Sequence, residues 1–175
     1  MMGYRANDYL TNSKSCTMLK FRFAEPADAD LYYGWSNDQQ TRENSYNKEK
    51  IEYVSHLQWF EAKLQSPDSF MYLFFDEADL PVGQVRIDRN PDSDVKESIV
   101  GVSVDNEHRG RGYGIEMLKI SSGDFLNKNP DHKILAFIFV TNEASFKSFS
   151  KAGYKLVEEK SVKGIPSYIL EISNV

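Results

Sequence analysis

At 175 residues the chain has the length of one domain with a sizeable core, and 41% hydrophobic with 27% charged residues is ordinary for a soluble globular protein. A net charge of −5 without a basic run argues against nucleic acid as a main partner, and apolar runs such as residues 134–140 are too short to span a bilayer. The single cysteine, Cys16, excludes an internal disulfide and a Cys/His zinc cluster; with no apolar leader at the start, the expected location is a reducing cytoplasm.

Residues 1–16 show no clear period and read as an N-terminal arm, loose or docked through Tyr4, Tyr9 and Leu10; the domain proper is expected over 17–175. Residues 18–23 alternate as a first strand, ended by Glu25-Pro26. Residues 27–35 read as a short helix, and 36–49 as a polar, turn-rich loop. Residues 51–64 form an amphipathic helix on Ile51, Val54, Leu57 and Leu64, with Trp59 and Phe60 adding bulk. Strands follow over 70–75 and 82–87, the latter with a possible bulge at Gly83. A fourth strand spans 99–104, and then a helix carries Ile115, Leu118, Ser122 and Phe125 at helical spacing. Residues 134–140 are nearly all apolar, as in a strand covered on both faces. Asn142 can cap a helix that Gly153 stops, and 154–158 with 165–172 make a final hairpin. The order predicts one α/β (α+β) domain, a mixed and mostly antiparallel sheet with helices on both faces.

The segment between residues 99 and 120 organises this chain. A strand ends at Val104; Arg109, Gly110, Arg111, Gly112, Tyr113 and Gly114 follow; then a helix begins. A helix N-terminus offers unpaired N–H groups and a partial positive charge, and glycines let a phosphate approach the backbone. Neither the Walker pattern nor the G-x-G-x-x-G dinucleotide fingerprint is present, because the glycines at 110, 112 and 114 read G-x-G-x-G.

Read as R-x-x-G-x-G, Arg109 to Gly114 resembles the acetyl-CoA pyrophosphate loop of the GCN5-related N-acetyltransferases, the GNAT superfamily. The run from Asn142 through Ser145 and Phe149 to Gly153-Tyr154 is similar to that family's N-x-x-[AS]-x-x-x-[YF]-x-x-x-G-[FY] pattern. The resemblance implies a GNAT fold over roughly residues 17–173 and acetyl-CoA as acyl donor. It assigns the pyrophosphate to the Arg109–Gly114 backbone, the pantetheine arm to Asn142 (also a simple N-cap) and to the splayed strand at Val102 and Val104, and a cofactor contact to Phe149. Many members carry at that last position a tyrosine that protonates the CoA thiolate. Phe149 cannot donate a proton, so Ser145 becomes the candidate acid, directly or through a water, unless the thiolate leaves unaided. The candidate bases are His56, whose intrinsic pKa suits the task, and Glu97, where some members place a catalytic glutamate. For His56 the alternative is a core-edge histidine; His108 reads as solvated.

Trp35-Ser36-Asn37-Asp38, Arg42, Ser45 and the His56-x-x-Trp59-Phe60 helix resemble the GNAT branch that acetylates nucleotide-linked amino sugars. The resemblance makes Trp35, Asn37, Arg42 and Trp59 substrate-binding residues: the aromatic rings to stack, Arg42 to pair with a diphosphate. The ribosomal-protein N-terminal acetyltransferases share part of this layout, so a protein N-terminal amine is the second acceptor expected. A non-catalytic CoA-binding module is the third reading. The partner expected is a small-molecule amine, with no nucleic acid, membrane or metal, and a homodimer remains open.

Overall fold

The computed structural model describes residues 19–91 and 94–174. The expected N-terminal arm lies outside the described residues. Seven strands form one sheet in the order β1-β2-β3-β4-β5-β7-β6. They are β1 (Lys20–Phe23), β2 (Ser69–Phe75), β3 (Pro81–Arg89), β4 (Glu97–Val104), β5 (Lys133–Phe139), β6 (Lys155–Val162) and β7 (Ile165–Ser173). All neighbours are antiparallel except β4 and β5. Among the described residues no helix is long and apolar enough to cross a membrane.

Strand β2 shows how the sheet sorts its two faces. Alternate side chains point to opposite sides. Tyr72 and Phe74 enter one core with Val85, Ile87, Met117, Leu118, Phe125, Ile138 and Phe149, under α4 (Tyr113–Lys128) and α5 (Glu143–Lys151). Met71 and Leu73 enter a second with Tyr32, Trp35 and Phe60, under α1 (Ala29–Ser36) and α3 (Tyr53–Gln65). The two-faced α/β domain expected from the element order is therefore present.

Three local differences from the sequence reading have physical causes. The predicted loop at 36–49 contains a short helix, α2 (Gln39–Glu43), whose N-terminus Asp38 caps by accepting the Thr41 N–H at 3.1 Å. Five polar residues carry no hydrophobic period to announce it. The bulge falls beside Gly83, since Phe74 faces Gly83 while Phe75 faces Pro81. Gly83 itself is required by close packing: a Cβ there would stand 2.5 Å from the Ser103 carbonyl and 2.8 Å from Met117 Cε. Finally, β5 is not covered on both faces. Ile134, Ala136 and Ile138 are buried, but Leu135 and Phe137 are half-buried. Their face borders the opening described next.

Candidate active site

Strands β4 and β5 pair only at their beginnings, through Glu97↔Lys133, Ser98↔Ile134 and Ile99↔Leu135. Continuing that register would place Gly101 beside Phe137 and Ser103 beside Phe139, but the strands part there. Val102 and Val104 stand on the open half of β4. Backbone donors and acceptors that a ladder would consume are left along the gap. Two helices begin at its open end. After Phe139 the chain turns, with the Asn142 N–H on the Phe139 carbonyl at 2.8 Å, and enters α5. After Val104 it passes through Arg109 to Gly114 into α4.

That second turn is built to expose amides. Gly110 (φ 76°) and Gly112 (φ 84°) are left-handed, and a Cβ on either would meet nothing within 4 Å. So conformation, not crowding, demands glycine at both, and the space beside them is open. Ile115 is the first α4 amide bonded back to the Gly112 carbonyl (3.1 Å), leaving the Tyr113 and Gly114 N–H groups without helical partners. Gly114 brings α4 against β4, where a Cβ would touch Val104 Cγ2 at 3.4 Å. Tyr113 buries its ring in the core, so its part in the cradle is the backbone. Arg111 is exposed beside the loop, with Nη2 donating to the Glu107 carbonyl at 3.1 Å. The set is an anion-binding nest facing a gap between two strands.

The Acetyltransferase (GNAT) domain family matches residues 18–155. The chain belongs to the GNAT acetyltransferase family. No curated protein matches it. Among solved structures it is similar to spermidine N-acetyltransferase from Vibrio cholerae in complex with CoA and spermine (TM-score 0.77, 12% identity, covering 88% of this chain and 94% of that one). It is also similar to yncA from Salmonella typhimurium with acetyl-CoA (0.73, 18%, 90% and 94%) and to aminoglycoside acetyltransferase AAC(6')-Ib in complex with coenzyme A (0.74, 14%, 89% and 95%).

Several residues expected to do chemistry in this GNAT domain are structural. His56 is 1% exposed, its Nε2 lies 2.8 Å from the Ala29 carbonyl, and its ring packs among Tyr33, Trp59 and Phe60. It joins α3 to α1 and is not placed to take a proton from a bound amine. Glu97 opens β4 at the paired end of the strands and is held by Lys133 Nζ at 3.0 Å. Val104 lies seven residues further on, roughly 23 Å away at strand rise, so Glu97 does not face the open end. Phe149 is 3% exposed and meets Tyr154 edge-on at 4.9 Å. It is a core residue. Tyr154 is core too, its hydroxyl 2.7 Å from Ser122 Oγ and its pKa raised by burial. Asn142 caps α5 by accepting the Ser145 N–H at 3.2 Å, which puts Ser145 in the first turn at the open end.

The expected acceptor residues build the scaffold of a loop. Trp35 Nε1 donates to Asp105 Oδ1 at 2.9 Å. Asn37 exchanges two hydrogen bonds with the Ile51 backbone, at 3.1 and 2.8 Å. Arg42 donates to the carbonyls of Asn47 and Glu49 and to Ser45 Oγ, and burial lowers its pKa. None of the three turns its polar group to an acceptor. Arg109 also faces inward: Nη2 reaches Asp38 at 2.5 Å, Nη1 reaches Gln40 at 2.9 Å and Nε the Val104 carbonyl at 3.2 Å. Burial would raise the Asp38 pKa, but the bonds from Arg109 and Thr41 outweigh it and hold the carboxyl below its ordinary value. His108 is tied to Asp105 Oδ2 at 2.9 Å rather than solvated. Trp35, Asp38, Asp105 and Arg109 thus lock α1 and α2 onto the glycine turn between β4 and α4.

Other residues face the gap from the α1 side of the sheet, and no motif marked them. Arg86 Nη2 stands 3.9 Å from where a Gly101 Cβ would be; Asp88 holds its Nε at 2.7 Å, and Trp59 lies under it at 5.1 Å. So Trp59 is a platform for Arg86. Gln84 and Ser103 share this face on the β4 bank, Phe137 and Phe139 on the β5 bank. Period-2 alternation around the gap was the signal that could have found them. A pocket of about 440 Å³ lies on the outer side of α1, by Gly34, Asp105 and Asn106. Its carboxylates are taken: Asp30 by Tyr53, Asp38 by Arg109, Asp105 by Trp35 and His108.

Proposed function

We propose that this chain acetylates the amino group of a nucleotide-linked amino sugar, drawing the acetyl group from acetyl-CoA. Membership of the GNAT family makes the chain an N-acetyltransferase. The observation that carries the cofactor reading is the parting of β4 and β5 in front of the glycine nest. The residues fit acetyl-CoA. Amides from Gly110 to Gly114, with Arg111, would hold the pyrophosphate; the backbone of β4 at Val102 and the Val104 N–H, with Asn142, would hold the pantetheine arm. In the reaction the amine attacks the thioester carbonyl, a C–N bond forms, the C–S bond breaks and CoA leaves as the thiol. The chain's share of the work is alignment and donation of N–H groups to the developing oxyanion. Ser145, in the first turn of α5, is the hydroxyl offered to the departing sulfur. With Phe149 in the core, no tyrosine stands at that family position.

Two things support the acceptor. The W-x-N-D, arginine and H-x-x-W-F features resemble the amino-sugar branch: the first two brace the loop that carries α2, and the last joins α3 to α1 and backs Arg86. The cation on the acceptor face is Arg86, aimed at Gly101 and backed by Trp59; of the nearby carboxylates, Asp38 is ion-paired with Arg109, and the Asp105 oxygens are occupied by the Trp35 and Glu107 N–H groups and by His108. That favours an anionic acceptor over a polycation.

Thiol release in the presence of acetyl-CoA and a UDP-linked amino sugar, spermidine, kanamycin or an N-terminal peptide tests this directly. The sugar should turn over best, and Arg86→Ala should raise its KM about ten-fold. Preference for spermidine or kanamycin, or an Arg86→Ala enzyme with unchanged sugar KM, would reject the sugar reading.

A further inference from the structure

The segment after α2 crosses the open end of the gap. Arg109 ties α2 to the β4 bank through Asp38 and Gln40. Tyr46 lands on the other bank. Its ring meets Phe139 edge-on at 4.9 Å, and its hydroxyl lies 2.7 Å from Ser167 Oγ. Phe139 is the last residue of β5, and Ser167 is its register partner on β7. Ser167 is fully buried, and its hydroxyl donates to the Ile165 carbonyl at 3.0 Å. A serine hydroxyl has one proton, so in the pair Tyr46 donates and Ser167 accepts. The phenol's rotation is thereby fixed, with its proton toward the protein and its lone pairs away from Ser167.

Such an oxygen suits an acceptor amine. The attacking amine must be neutral, its lone pair aimed at the thioester carbonyl and its N–H groups turned away from it. A carboxylate beside it would favour the ammonium form; a neutral phenol does not. We infer that the Tyr46 phenolic oxygen, oriented by Ser167, accepts a hydrogen bond from the acceptor amine, with Phe139 as the apolar wall beside it. This assignment rests on the reading that the open end of the gap takes an amine. Tyr46 touches the substrate; Ser167 is a positioning residue.

Tyr46→Phe removes one oxygen and keeps the ring on Phe139. Thiol release is followed with a UDP-linked amino sugar, spermidine, kanamycin and an N-terminal peptide as probes. Acceptor KM should rise about ten-fold for whichever amine turns over, the scale of one hydrogen bond. The acetyl-CoA Kd should change less than about two-fold, and the fold should stay intact by thermal denaturation. Ser167→Ala should raise acceptor KM by itself and add nothing in the Tyr46→Phe background, because it acts through the phenol. A purely structural Ser167 would add its effect in both. Unchanged acceptor KM in Tyr46→Phe, or additive effects of the two variants, would overturn the assignment and leave the acetyltransferase reading standing. Failure of the unsubstituted chain to bind or turn over any probe amine would overturn the amine-site reading and this assignment with it.

Discussion

Replacing Arg109 by alanine separates a clamp from a phosphate ligand. The side chain makes three bonds: to Asp38 at 2.5 Å, Gln40 at 2.9 Å and the Val104 carbonyl at 3.2 Å. Hydrogen bonds involving a charged group contribute about 1.5–3 kcal/mol each, and partial exposure lowers that. With the Arg109 and Asp38 side chains 29% and 20% exposed, the clamp as a whole is worth roughly 2 kcal/mol. In a chain of this size that is a fall in Tm of about 4–8 °C. Asp38 would still cap α2 through Thr41, so the loss is felt where α2 meets the cofactor loop. Acceptor KM should rise about ten-fold while the acetyl-CoA Kd stays within about two-fold. Calorimetric titration with acetyl-CoA and steady-state kinetics on one amine measure both. A ten-fold weaker acetyl-CoA complex with unchanged acceptor KM would refute the clamp and return Arg109 to the phosphate.

Gly112→Ala should destabilise the chain by about 1–2 kcal/mol through the left-handed φ alone, since no neighbour is struck, and Gly112→Glu should in addition abolish acetyl-CoA binding by calorimetry. His56→Ala, which empties a buried site between α1 and α3, should lower stability by about 2–4 kcal/mol in urea denaturation while turnover per folded molecule persists. Phe149→Leu should cost roughly 1 kcal/mol of stability and leave the chemical step nearly unchanged in single-turnover kinetics. Ser145→Ala should lower kcat about ten-fold at saturating substrates without moving Tm, if its hydroxyl meets the departing sulfur. At Asp28, Asp38 and Asp105 burial acts to raise the pKa, and hydrogen-bond donors outweigh it, so all three are lowered. Their stabilisation is complete above the unfolded carboxylate pKa near ~3.9 and is lost as pH falls through the lower folded values. Tm should therefore drop steeply below about pH 4, and less steeply in Asp38→Asn.

The fold was legible in the sequence because its elements announce themselves locally. Alternation along β1, helical spacing along α4 and the Gly110–Gly112 turn each follow from short-range chemistry. The glycine turn between β4 and α4 was legible for the same reason, since φ at those glycines is a property of the turn itself. The acceptor side was not. Arg42, Asn37 and Trp35 have the residue types of a binding site, but which way a guanidinium or carboxamide points depends on chain partners such as Glu49, Ile51 and Asp105, fixed only by folding. His56 shows the same limit: a histidine beside aromatics in sequence reads as a pocket wall or as core, and burial against Ala29 decides for core. Tyr46 went unseen because its meaning comes from β7, far away in sequence, and Arg86 because the side chain beneath it, Trp59, and the parting of β4 from β5 are fixed only by folding.

A crystal structure with acetyl-CoA bound tests the central claim most directly. The account predicts the pyrophosphate on the amides of Gly110 to Gly114 and the pantetheine arm in the gap opened by the parting of β4 and β5, its thioester facing the side that carries Arg86 and Tyr46. Acetyl-CoA bound elsewhere, or a gap still empty with the cofactor at saturating concentration, would contradict it.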